Sequence, residues 1–94
     1  MKLKHLLEQR RLEADLNQAK IYDTIQQLTD ELDECAIEYT TRPSLGRVYI
    51  YHNGGDGVIY VDCLTGLYRI ISGNTWFKGD LEEALRGIAR LLVP

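Results

Sequence analysis

Four side chains in this 94-residue chain could hold a soft metal ion or pair a nucleophile with a base: His5, Cys35, His52 and Cys63. Zinc sites draw such residues from close pairs that preorganise a tetrahedron. Here the four are scattered, so their spacing builds no metal site, and no cofactor is expected. Nucleophilic catalysis would need a cysteine beside His52 with an acid to orient it. A first hairpin centred on Gly55 would set Cys63 at the far end from His52 and on the opposite sheet face. Asp56, Asp62 and Asp80 are accounted for as turn, strand-end and helix-cap residues. The chain is therefore read as a non-enzyme with no catalytic residue.

Binding chemistry has more to work with. Asn53-Gly54-Gly55-Asp56-Gly57 is rich in glycine, but phosphate loops lead from a strand into a helix. This one joins two strand-like runs and is read as a hairpin turn. A basic-aromatic patch formed by Tyr49, Tyr51, Arg69 and Trp76, with Arg42 and Arg47 nearby, could hold a small anionic ligand such as a nucleotide.

Those residues need elements to carry them. Residues 2–36 contain neither Gly nor Pro and are dominated by Leu, Glu, Gln, Lys, Arg and Ala, which predicts one long helix. Ile21, Ile25, Leu28, Leu32, Cys35 and Tyr39 follow alternating steps of four and three, the pattern of a coiled-coil seam. Leu12, Leu16 and Ala19 repeat it in another phase, so the helix either turns its buried face or breaks near residues 17–20. Unbroken, it would be about 50 Å long. A compact chain of this size has a radius of gyration of about 12 Å. Such a helix overshoots its own globule and must fold back or find another chain.

Charge supports a partner. Residues 1–20 hold five bases and three acids, residues 21–41 hold six acids and no base, and residues 42–94 hold six bases and five acids. The resulting blocks of +2, −6 and +1 run against the helix dipole, which favours acids first. An antiparallel second copy would bring the basic start beside the acidic end. The expected oligomer interface is Leu12, Leu16, Ile21, Ile25, Leu28 and Leu32, with Asp30, Glu31, Asp33 and Glu34 as the surface for a basic protein partner.

Past Tyr39 the pattern changes. Thr40-Thr41-Arg42-Pro43 ends the helix or follows it as a short extended piece. Runs at 47–52, 58–63, 67–71 and 75–78 are β-rich and separated by short turns containing Gly or Asn. Centring the first hairpin on Gly55 puts Ile50 opposite Tyr60 and Val48 opposite Asp62, leaving both sheet faces partly apolar. A final amphipathic helix spans residues 80–93, capped by Asp80 with Glu83 in capping-box spacing. The fold class is α+β in a single domain: a long helix, an antiparallel meander of three to four strands over 47–78, and a C-terminal helix. The element order resembles that of double-stranded RNA-binding domains. Those domains begin the last helix with bases, whereas here it begins Gly79-Asp80-Leu81-Glu82-Glu83, so that family is set aside.

The formal charge of −3 argues against nucleic acid as a partner. No uncharged run is long enough to cross a membrane. Glu8, Arg10 and Arg11 interrupt any signal-peptide core, which points to the cytoplasm. The expectation is a homo-oligomer, a dimer or higher even number, that binds a protein partner. It would act as a regulator, adaptor or inhibitor of the kind that phages and other mobile elements carry. The alternative is a module that sequesters an anionic ligand in a pocket at a subunit boundary.

Overall fold

Helix formers without a breaker carry α1 from Lys2 to Glu34 as one continuous helix in the computed structural model, which describes residues 2–52 and 57–93. Its end is set by backbone bonds. Ile37 N–H donates to Leu32 C=O at 3.0 Å across Ala36, which takes the left-handed φ of 53°. The helix thus ends two residues short of the expected residue 36, leaving Cys35 and Tyr39 of the expected seam outside it.

Five antiparallel strands follow in sequential order, one more than the upper expectation: β1 (Tyr39–Arg42), β2 (Arg47–His52), β3 (Gly57–Cys63), β4 (Tyr68–Ser72) and β5 (Thr75–Gly79). The extra strand is the extended piece before Pro43, which pairs Tyr39 with Ile50 and Arg42 with Arg47. Proline keeps the residue before it extended and lacks a donor for the ladder, so β1 stops there at the sheet edge. Helix α2 (Leu81–Leu92) closes the chain behind a complete capping box: Glu83 N–H donates to Asp80 Oδ1 at 3.0 Å, and Asp80 N–H donates to Glu83 Oε1. The hairpin turn expected at Asn53-Gly54-Gly55-Asp56-Gly57 lies, apart from Gly57, outside the described residues.

The β2–β3 register differs by one residue from the expected one. Ile50 pairs with Ile59, Val48 with Val61, Tyr49 with Tyr60 and Arg47 with Asp62. A one-residue slip moves every β3 side chain to the other face. The observed register collects Val48, Ile50, Ile59, Val61 and Cys63 on one side, all buried, and leaves Tyr60 and Asp62 with Arg47 and Tyr49 on the other. Hydrophobic sorting and the Arg47–Asp62 charge pair favour this register over the one expected.

Both helices lie on the same face of the sheet. Ile25, Leu28 and Leu32 of α1 and Ala84 and Ile88 of α2 join the β-strand residues in one core cluster. A polar clasp fixes α1 across it: Tyr68 Oη donates to Thr24 C=O at 2.6 Å, and Gly66 N–H donates to Thr24 Oγ1 at 2.9 Å. Burial pushes the Tyr68 hydroxyl up to about 12, so it remains a donor at neutral pH. Gly87 lets α2 approach the sheet, since a β-carbon there would sit 1.8 Å from the Phe77 ring. Gly87→Ala should lower Tm despite a helix-propensity gain of about 1 kcal/mol, because overpacking costs about 1–3 kcal/mol. Thermal denaturation checks this, and a raised Tm would show that the Phe77 ring swings clear.

Candidate functional site

With both helices on one side, the other face of the sheet is left open, and its register arranges it into two rows. Antiparallel partners share a face, so Arg42, Arg47, Asp62, Arg69 and Lys78 form one row across all five strands. Two residues away along each strand, Thr40, Tyr49, Tyr60, Ile71 and Trp76 form a second. At strand spacings of about 4.8 Å each row is about 19 Å long, and the rows lie about 7 Å apart.

The charged row is organised by its single acid. Asp62 is 7% exposed, accepting from Arg47 Nε at 2.8 Å on Oδ1 and from Arg69 Nε and Nη2 at 3.2 and 2.5 Å on Oδ2. Burial alone would raise its pKa, but the hydrogen bonds and charges of Arg69 and Arg47 outweigh it and hold the carboxyl below its ordinary value. The same pairing raises the Arg47 pKa. Four cations around one carboxylate leave the row at +3. In the aromatic row, Tyr49 and Tyr60 meet edge to face with centroids 5.3 Å apart. Trp76 stands 67% exposed, and with Arg69 and Ile71 it walls a shallow dish of about 370 Å³.

Tyr49, Tyr51, Arg69 and Trp76, expected to form a ligand patch, thus all stand on the open face, with Tyr51 paired to Val58 beyond the aromatic row. Sequence reasoning missed Tyr60, Ile71 and Lys78 as members of this face, and read Asp62 as a mere strand end. The signal that finds them is the cross-strand match of Arg47, Asp62 and Arg69, which only the observed register provides.

The helix residues divide differently. Ile25, Leu28 and Leu32 are buried in the chain's own core and Ile21 packs against it, so these four are not a free seam for another chain as expected. Leu12 and Leu16 are exposed, as is every residue from 2 to 17. At 100° per residue they lie roughly opposite the core stripe, while Leu7 and Ala14 continue that stripe past the sheet in seven-residue steps from Ile21. Asp30, Glu31, Asp33 and Glu34 are exposed on the last turns of α1. Two are already engaged: Gln26 donates to Asp30 at 2.7 Å, and Tyr39 Oη donates to Asp33 at 2.8 Å, raising the Tyr39 pKa. Beside them, Leu32, Cys35 and Ile37 with Leu85, Ile88 and Leu92 line an apolar groove of about 570 Å³, rimmed by Glu31.

Cys63 and His52 share the core face, contrary to the expected opposite faces, but sit at opposite ends of the β2–β3 ladder, about 20 Å apart at about 3.4 Å per residue. Burial pushes the Cys63 thiol up to about 12, which removes it as a nucleophile near neutral pH. Among the described residues, no group of three or more His, Cys, Asp or Glu is placed to hold a metal ion. Nor is any described helix long and apolar enough to cross a membrane. No family model, curated protein or solved structure matches the chain.

Proposed function

We propose that the chain is a non-enzymatic interaction module that pairs α1 antiparallel with that of a second copy, and acts as a regulator, adaptor or inhibitor of a protein partner. The observation that carries this reading is the unpartnered half of α1. Residues 2–17 are all exposed, and the molecule measures 57 × 26 × 23 Å with a radius of gyration of 15.8 Å. A helix draws most of its stability from packing rather than from intrinsic propensity. Here the projecting turns display Leu3, Leu6, Leu7, Leu12 and Leu16 on two sides, each about half exposed or more.

A second copy supplies that contact in a complementary way. Full antiparallel overlap sets Leu3, Leu6 and Leu7 of one copy level with residues 29–33 of the other, beside the apolar groove at the end of α1. Lys2 and Lys4 then fall near Glu31, Asp33 and Glu34. The acids left at the rim face outward, where a basic partner protein would meet them. Sedimentation equilibrium at micromolar concentration should find a dimer. Leu7→Glu with Leu16→Glu should give a monomer that still unfolds cooperatively, because both side chains lie outside the core, but with reduced helical circular dichroism as the projecting turns lose their partner. A monomeric wild-type protein would overturn the reading.

A further inference from the structure

We propose that the open sheet face binds single-stranded nucleic acid, with the sugar–phosphate backbone along the cationic row and bases against the aromatic row. The formal charge of −3 conceals this because it averages two surfaces: residues 21–41 hold six acids, five of them in α1, while the row across the far side of the sheet carries four bases and one acid. Arg42 stands directly opposite Arg47, and Arg69 opposite Lys78. Like charges at cross-strand positions destabilise a sheet, so fold stability alone gives no reason for two such pairs. An external polyanion does.

Asp62 orients the two inner arginines without exhausting them. A guanidinium has five N–H donors; Arg47 spends one and Arg69 two on the carboxylate. The remaining donors are available to phosphate oxygens, for which arginine is well shaped. The aromatic row decides which polyanion. Tyr60 is 42% and Trp76 67% exposed, the flat or edge surfaces on which unpaired bases stack. An acidic peptide would satisfy the cations but has no use for these rings, and a duplex keeps its base faces hidden. A row of about 19 Å accommodates two or three nucleotides, as on other single-strand-binding sheets.

Trp76 is the sole tryptophan, so its fluorescence reports on the site directly. Titration with 12-mer oligo-dT or oligo-rU at low salt should quench it saturably, with a slope of log K against log salt near −2, about −0.7 per phosphate contact. By anisotropy of labelled strand, Trp76→Ala should weaken binding about tenfold or more, with Trp76→Phe recovering part of the loss. Lys78→Ala should weaken binding and flatten the salt slope by about 0.7. A mononucleotide, a duplex of equal length and polyglutamate should each bind more weakly. Absence of quenching, unchanged affinity of Trp76→Ala, or equal binding by any of these three competitors would overturn the proposal. The site is independent of the helix pairing: Leu7→Glu with Leu16→Glu should retain the quenching whether or not the wild type dimerises.

Discussion

Leu28→Ala is expected to lower the unfolding free energy by about 3 kcal/mol, whereas Leu12→Ala, in the same helix, should change it by less than about 0.5 kcal/mol. Both are leucines in continuous helix, and alanine favours that backbone slightly in each case. The difference lies wholly in what covers them. Leu28 is fully buried among Ile25, Leu32 and the sheet residues, so truncation leaves a cavity in a small core that has few other side chains to fill it. Leu12 is 64% exposed and belongs to neither the core cluster nor the side chains packed against it. In a chain this small, 3 kcal/mol corresponds to a fall in Tm of more than about 10 °C. Denaturant unfolding of the two variants as monomers, at concentrations below the association range, tests the contrast. A comparable loss for Leu12→Ala would mean that the projecting half is packed within its own chain after all.

That contrast marks where sequence reading works and where it fails. The existence of α1 was legible because 33 successive residues lack a breaker. So was α2, whose Asp80 and Glu83 announce its cap. What periodicity cannot say is which part of a stripe is covered by its own chain. Ile25 and Leu28 read like a seam for a second helix, and equally like the core positions they are, since both uses demand the same spacing. The open face was half legible: Tyr49, Tyr51, Arg69 and Trp76 stand on it, but its two-row order depends on a register that a glycine-rich turn leaves ambiguous by one residue. Requiring Arg47, Asp62 and Arg69 to share a row resolves that ambiguity. Strand β1 was legible only as a short extended piece, not as a member of the sheet, because Tyr39-Thr40-Thr41-Arg42 is short and its pairing rests on β2 rather than on any local signal.

Asp62→Asn tests that row from the inside, and its two effects should run in opposite directions. An amide of nearly the same shape fills the same space but cannot neutralise Arg47 and Arg69, which then stand near Arg42 and Lys78 with no acid between them. Hydrogen bonds to charged groups contribute about 1.5–3 kcal/mol each, and screening by water around the half-exposed arginines trims the sum, so a loss of about 2 kcal/mol at pH 7 is expected. The pH dependence has a definite sign. Because the folded carboxyl titrates below its ordinary value, its stabilisation is complete above the unfolded pKa of about 3.9 and disappears as pH falls through the lower folded value. The stability gap between wild type and Asp62→Asn should therefore be constant near neutrality and close in acid below about pH 4. Meanwhile the row gains a unit of positive charge, so single-strand affinity should hold or rise while stability falls. If the arginines meet phosphate only in the poses that Asp62 fixes, its removal disorders them and affinity drops in step with stability. If their charge alone suffices, the two measurements part company.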